Sequence, residues 1–196
     1  MVLRERAWQP NKRRKGDIKL GDPRRLKKTW EGPKKPWRAT DLREALKLIG
    51  EYGLRNKREL YKAQTIARRY RKMARKILGL PEAERAKVEK ELVQRLYRLG
   101  LIKYENATAD SILSLTAKDV LERRLQTIVF RKGYAPTIHA ARQMVVHRHI
   151  TIDDRVVDVP GYFVKADEES RIKIRVTSPF YKVYQQKLQT PSNTQG

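Results

Sequence analysis

Three histidines could transfer protons near neutral pH: His139, His147 and His149. Catalysis would require one of them to lie between a nucleophile and an orienting group, and the sequence contains no such trio around them. His147 and His149 alternate across a predicted helix-to-strand junction, so we expect their side chains to point to opposite sides. The histidines therefore indicate hydrogen-bonding or contact roles rather than catalysis.

Five acids that lie close together could in principle hold a magnesium ion through their oxygens: Asp153, Asp154, Asp167, Glu168 and Glu169. However, Asp153-Asp154 is a typical turn pair between two short β-type runs, and the other three follow in a loop. Hairpin and loop formation explains these acids better than a metal site does. The absence of cysteine excludes thiolate zinc sites, disulfides and a cysteine nucleophile. The sequence thus predicts neither a metal nor a cofactor.

The most unusual feature is a basic helix predicted at residues 57–78. Its apolar stripe steps by three or four residues and consists of Leu60, Ala63, Ala67, Tyr70, Ala74 and Ile77. From Arg55 to Lys76 there are ten basic residues and one acid, Glu59. Like charges at this spacing repel one another along a helix. A helix of this kind is typical of a surface that a polyanion neutralises.

Residues 1–38 form a second basic segment, with 14 Lys and Arg, four acids, four prolines and all three tryptophans. The segment has no helical or strand periodicity and cannot build a core alone. It could be a disordered basic tail. Trp30 and Trp37, each beside a pair of lysines, favour a more specific role, which is either base stacking or docking of the rings onto the protein body.

The composition restricts the function further. The 196 residues carry a formal net charge of +24, which opposes compaction unless a polyanion supplies counter-charge. No apolar run approaches the roughly 18 residues that a membrane-spanning helix needs. The N-terminus has no apolar segment behind its charges, so no secretory signal is predicted. We expect an intracellular protein that binds nucleic acid.

The sequence pattern around these cations predicts an α+β fold. Its parts are a basic irregular extension (1–38), a helical domain (39–115), a small domain (116–180) and a flexible tail (181–196). In the helical domain, helices are expected from an N-cap at Thr40, over 57–78, and over 81–99 with Val88 in the apolar face. The small domain is expected to contain two helices on a short antiparallel sheet, the first running from a cap at Thr116 to Gly133. Its strands are predicted at 150–152, 156–159, 162–164 and 171–176.

Residues 121–164 resemble the small RNA-binding domain shared by the family of small-subunit ribosomal protein four and several RNA-modifying enzymes. The matching features are Arg124-Leu125, Gly133-Tyr134-Ala135, Thr137, Ala141-Arg142-Gln143, His147, Ile150 and Ile152. Earlier motifs occur in the order expected for archaeal members of that family, namely Gly21-Asp22-Pro23-Arg24-Arg25, Pro36-Trp37, Tyr52-Gly53-Leu54-Arg55 and the basic helix over 67–74. The chain departs from the family pattern at Asp153-Asp154, where many members have Asn-Gly, so the turn is expected to be of another type.

This resemblance implies a structural, non-enzymatic constituent of the small ribosomal subunit. It implies direct binding to small-subunit ribosomal RNA early in assembly of the five-prime domain, and an influence on translational accuracy. The implied neighbours are small-subunit ribosomal protein five and other small-subunit proteins, in the cytoplasm, with no membrane partner and no homo-oligomer. The residues expected to contact RNA are Arg24, Arg25, Lys27, Lys28, Trp30, Lys34, Lys35, Trp37, Arg55, Lys57, Arg58, Lys62, Arg68, Arg69, Lys72, Arg123, Arg124, Arg131, Lys132, Arg142, His147 and Arg148.

Two other classes of protein compete with this interpretation. An RNA-modifying enzyme could use the same small domain for targeting, but the residues before that domain are helical and basic and contain no recognisable catalytic motif. A general nucleic-acid-binding protein would need only the charge, because phosphate binding is independent of sequence. The ordered series of motifs favours the ribosomal interpretation over both.

Overall fold

The computed structural model describes residues 29–104 and 107–189. The helices in these ranges are α1 (Ala39–Glu51), α2 (Lys57–Leu78), α3 (Glu82–Arg98), α4 (Ala109–Leu113), α5 (Ala117–Glu122), α6 (Leu125–Arg131), α7 (Ile138–Val146), α8 (Ala166–Glu169) and α9 (Pro179–Gln189). The strands are β1 (Ile150–Ile152), β2 (Arg155–Val156) and β3 (Ile172–Ile174). The predicted α+β class is confirmed.

The first half of the molecule comprises α1 to α5. Helix α2 lies at its centre and contacts α1, α3, α4 and α5. It has the bounds that the sequence predicted, and Asn56 caps its N-terminus by accepting a hydrogen bond from the backbone N–H of Glu59 at 3.1 Å. Leu60, Ala67 and Ala74 are fully buried on its inner side, where small alanines allow the neighbouring helices to approach closely. The same helix therefore supplies the core and, on its other side, the cations.

Helices α1 and α3 differ from prediction in detail. Helix α1 begins at Ala39 with Arg38 as its N-cap, two residues before the N-cap expected at Thr40, so Thr40 lies inside the helix and its hydroxyl donates to Asp41. In α3, Val88 is 39% exposed although it was expected in the apolar face. It borders a shallow groove with Met73 and Leu80, and no other part of the described chain covers it.

The single helix expected from Thr116 to Gly133 is two helices. The predicted capping box of Thr116 and Asp119 opens α5, but the chain is extended at Arg124 before α6 begins. There the backbone N–H of Leu125 donates to the carbonyl oxygen of Tyr162 at 2.9 Å, and Arg124 forms a β-bridge with Phe163. The backbone hydrogen bonds to this distant segment therefore outweigh the tendency of residues 116–133 to form one continuous helix. As a result, α5 packs into the core of the first half and α6 into that of the second.

The second half of the molecule comprises α6 to α9 and the three strands. In it, α6 and α7 pack against an antiparallel sheet of order β2-β1-β3. Ile150 and Ile152 of β1 pair with Ile174 and Ile172 of β3, and all four are buried. In the β1–β2 turn only Asp153 has a positive φ, so the turn is not the type that requires two such residues, as expected.

Three predicted segments differ in extent. Strand β2 ends at Val156 instead of residue 159, and residues 162–164 contribute only the bridge at Phe163. Residues 181–189 of the expected tail belong to helix α9.

Two glycines that follow helices provide a matched test of this fold. Gly100 and Gly133 have φ values of +70° and +72°, but a Cβ at Gly100 would lie 2.6 Å from Cζ of Arg123, whereas one at Gly133 would meet nothing within 4 Å. We expect Gly133→Ala to lower the free energy of unfolding by about 1 kcal/mol through backbone strain. Gly100→Ala should lower it by at least about 2 kcal/mol, because Arg123 must also move. Urea denaturation measures both, and equal losses would contradict the packing described at Gly100.

Candidate nucleic-acid interface

The outer side of α2 presents a basic face, which we define as Arg55, Arg58, Lys62, Arg69 and Lys72. All five side chains are exposed. None of them forms an ion pair with any residue that the structure describes. The neighbouring predicted contact Lys57 is half-buried at the start of the helix. An array of like charges without counter-ions attracts polyanions, and arginine also suits bidentate contacts with phosphate.

In the described part of the N-terminal segment, residues 29–38, Trp30 and Glu31 contact this helix. The ring of Trp30 stacks on Tyr61 with 5.6 Å between centroids, and the guanidinium of Arg58 lies 5.9 Å from the Trp30 ring. The backbone N–H of Glu31 donates to the hydroxyl of Thr65 at 3.0 Å, and its carboxylate accepts from Arg68 at 2.7 Å. For Trp30, these contacts favour docking onto the protein body over base stacking.

The residues that follow are directed outward. The side chain of Trp37 is 88% exposed, and Lys34 and Lys35 beside it are exposed as well. A tryptophan with two adjacent cations is suited to stacking on a nucleobase while the cations contact phosphate. The predicted contacts Arg24, Arg25, Lys27 and Lys28 lie outside the described residues.

Glu59 joins the two halves of the molecule. It is the single acid in residues 55–76, which also contain ten basic residues. Its carboxylate accepts from Nη2 of Arg124 at 2.8 Å and from Nη2 of Arg142 at 2.9 Å. The three side chains are only 19%, 10% and 18% exposed, respectively. Burial by itself raises the pKa of Glu59, but the hydrogen bonds and charges of Arg142 and Arg124 together outweigh burial and leave that pKa below its usual value.

Gln126 extends this contact into the backbone. Its amide nitrogen lies within hydrogen-bond distance of the carbonyl oxygens of Tyr52, Gly53 and Ile138, at 3.3, 3.1 and 3.2 Å. Its side-chain oxygen accepts from Arg142 at 3.1 Å. Because Gln126 is buried, these bonds fix the end of α1 against α6 and α7.

Arg123 and Lys132 make a second internal connection. Arg123 pairs with Glu169 at 2.5 Å and also donates to the carbonyl oxygen of Val164 at 3.2 Å. Lys132 donates to the carbonyl oxygen of Glu169, and burial lowers the pKa of Lys132, although the charge of Glu169 opposes that shift. These contacts hold the segment that contains α8 against the start of the small domain.

These contacts involve four of the residues expected on the RNA-binding surface of the small domain. The sequence placed Arg123, Arg124, Lys132 and Arg142 on that surface, and the structure directs their charged groups into internal contacts. Of the remaining predicted contacts there, Arg131 is exposed but pairs with Glu122 at 2.8 Å.

His147 and Arg148 lie at the turn between α7 and β1, and both are exposed. Arg148 reaches Asp158 at 3.4 Å. The expectation that His147 and His149 point to opposite sides is wrong, since their ring centroids are 6.3 Å apart. Strand alternation does not apply there, because His147 ends α7 and Arg148 has a φ of +63°.

His149 has a structural role. Its Nδ1 lies 3.1 Å from the hydroxyl of Ser178, and its ring meets the edge of Phe180 at 5.1 Å between centroids. Burial, and then the charges of His147 and Arg175, lower the pKa of His149. These contacts hold the start of α9 against the sheet.

The sheet presents cations that were not among the predicted contacts. Lys173 and Arg175 are exposed and alternate with the buried Ile172 and Ile174. The strict apolar–basic alternation of residues 171–176 was the signal that could have identified them. Within residues 29–104 and 107–189, no three acidic or histidine side chains are grouped to hold a metal ion. In the same ranges, no helix has the length and apolar character needed to cross a membrane.

Comparisons with known proteins agree with this architecture. A family model described as the ribosomal protein S4/S9 N-terminal domain matches residues 24–122, and one described as the S4 domain matches residues 123–170. The small ribosomal subunit protein uS4 of Sulfurisphaera tokodaii is 54% identical over 161 residues, which cover 82% of this chain and 91% of that protein. The uS4 protein of Ignicoccus hospitalis is 54% identical over 167 residues, which cover 85% of this chain and all of that protein.

The Glu59 contacts predict a pH-dependent stability. We expect Glu59→Gln to lower the free energy of unfolding at pH 7 by about 2 kcal/mol, less than the roughly 3–5 kcal/mol of a fully buried pair. Because the folded pKa of Glu59 is lowered, its contribution is complete above the unfolded value of about 4.5 and is lost as the pH falls through the folded value. The difference between the wild-type protein and the variant should therefore shrink between pH 5 and pH 3.

The control for this experiment is Glu44→Gln, because Glu44 is exposed on α1 and forms no ion pair with the described residues. That change should shift stability by less than about 0.5 kcal/mol. Chemical denaturation across the pH range measures both variants. If the difference in free energy of unfolding between the wild-type protein and Glu59→Gln stays constant down to pH 3, Glu59 is not held in an ionised contact.

Proposed function

The chain belongs to the family of small ribosomal subunit protein uS4, and from that premise we propose that it binds small-subunit ribosomal RNA directly. It is a structural, non-enzymatic protein of the small ribosomal subunit, whose partners are ribosomal RNA and ribosomal proteins in the cytoplasm. The observation that carries the RNA-binding proposal is the basic face of α2, five exposed cations without a described counter-ion.

The binding mechanism follows from how the charges are arranged. The basic face and the segment at Lys34, Lys35 and Trp37 supply unpaired cations for phosphate and a ring for stacking. The deep major groove of A-form RNA is closed to side chains, so recognition rests on backbone contacts and on the shape of the folded RNA. The Glu59 contacts hold the two halves in a fixed relation, so a folded RNA meets one shaped surface.

The proposed contact set is narrower in the small domain than the sequence suggested. There it retains Arg131, His147 and Arg148 and gains Lys173 and Arg175. The four residues whose charged groups form internal contacts position these surfaces, and they are Arg123, Arg124, Lys132 and Arg142. Outside the small domain, the contact set remains that expected from the sequence, apart from Trp30, whose ring stacks on Tyr61.

We further propose that the chain binds early in assembly of the five-prime domain of the ribosomal RNA, beside small-subunit ribosomal protein five, and contributes to translational accuracy. The family supports this role. The internal ionic contacts support it too, because they give the second half a defined position without RNA, which lowers the free energy spent on ordering the protein when it binds.

A salt titration tests direct RNA binding. We expect the full chain to prefer a five-prime-domain fragment of small-subunit ribosomal RNA over duplex DNA of equal length at moderate salt. Both affinities should fall steeply with salt, because each neutralised phosphate releases counter-ions. Filter binding from low to high potassium chloride measures both. Equal affinities that vanish together would show that charge alone acts and would contradict specific binding.

A matched pair of lysines tests the basic face. Lys72→Ala should weaken RNA binding and reduce the slope of log affinity against log salt by about one, the loss of one phosphate contact. Lys87→Ala removes the same charge from the exposed side of α3, where acids and bases alternate, and should leave both quantities unchanged. Identical effects of the two substitutions would exclude a localised interface on α2.

A further inference from the structure

A cleft of about 380 Å³ opens where α2, α5 and the 159–163 segment meet. Its walls include Ile66 of α2, Val120 of α5 and the ring of Phe163. Clefts of this size, mostly apolar with a few fixed polar groups, are typical of sites that hold a small molecule or one residue of a polymer.

The polar groups of the cleft are mainly basic. Lys62 lies at its rim, exposed, and forms no ion pair within the described part of the chain. Arg124 and Arg142 form one wall, where Glu59 holds both guanidinium groups. Three cations and one carboxylate leave the cleft with a net positive charge.

We propose that this cleft binds one unstacked nucleotide of the bound RNA. The base lies on the apolar wall beside the ring of Phe163, and its phosphate contacts Lys62. Unstacked bases in folded RNA are recognised by stacking on aromatic rings, which Phe163 supplies here. The inference rests on the proposed function and adds a defined subsite to it.

Continuity with the basic face favours a nucleotide over a segment of a partner protein. Lys62 belongs to both the cleft and the basic face, and Arg58 lies one turn before it on α2. A strand whose phosphates follow that face passes the mouth of the cleft. A base leaving the strand there enters an apolar space without separating its phosphate from the cations.

A crosslinking experiment locates the occupant. Val159 lines the cleft and is 55% exposed, whereas Val176 is 74% exposed and is not part of the cleft. Benzoylphenylalanine is placed at either position in the full chain, and the complex with the five-prime-domain RNA fragment is irradiated. We expect the probe at position 159 to crosslink to one unpaired nucleotide, and the probe at position 176 not to reach that nucleotide.

Two substitutions then test whether the cleft holds that nucleotide. Val159→Glu places an acid in the cleft, and Ile66→Trp fills it without a change of charge. Each should expose the crosslinked nucleotide to chemical modification while the other protected nucleotides stay protected, and should weaken binding about tenfold, the size of one lost stacking contact. Val88→Glu is the charge control and should do neither, because Val88 is an exposed valine of α3 outside the cleft. Thermal unfolding verifies that each variant folds, and Val159→Glu alone suffices if Ile66→Trp does not fold.

The outcomes separate the subsite from the proposed function. If the complex forms but the probe at position 159 reacts along paired strands or only with protein, the nucleotide subsite is wrong and RNA binding stands. Continued protection of the nucleotide in the folded variants also overturns the subsite. If no preference for the ribosomal fragment is found at moderate salt, the proposed function fails, and the subsite with it.

Discussion

The relation between the two halves of this molecule depends on one carboxylate on a helix that otherwise repels itself. Glu59 lies in the first turn of α2, where the helix dipole favours a negative charge, and its two partners come from the start of α6 and from α7. Because arginine binds carboxylate with directed hydrogen bonds, the contact fixes angle as well as distance. Gln126 adds bonds to the backbone of both halves, so the junction is specified by directed contacts rather than by apolar packing alone.

Among the described residues, the cations at this junction and those of the basic face form two populations. Arg123 is paired with Glu169, and Arg124 and Arg142 share Glu59, in partly desolvated surroundings where salt screens these pairs little. The cations of the basic face have no such partners, and their interactions depend on solvent and salt. The first population stabilises the contacts between elements of the fold, and the second supplies the surface that a polyanion can neutralise.

Local features of the fold were predictable from sequence, and long-range ones were not. The bounds of α2, the capping box of Thr116 and Asp119, and the end of a helix just before Gly133 follow from spacing and residue type within a few positions. The break at Arg124 depends on the pairing with Phe163, which no local pattern contains. The candidate site shows the same limit. An arginine with an exposed role and one that is paired internally look alike in sequence, and the partners of Glu59 lie 65 and 83 residues away.

The two populations also explain how so basic a chain can present an ordered surface. Self-repulsion on α2 opposes folding, but it acts mainly between exposed charges, where water and salt weaken it. The buried stripe of the helix and the contacts of Glu59 act where screening is weak. Order in the second half therefore does not depend on first neutralising the basic face. An RNA that binds there meets surfaces already in position, so less of the binding free energy is consumed in ordering the protein.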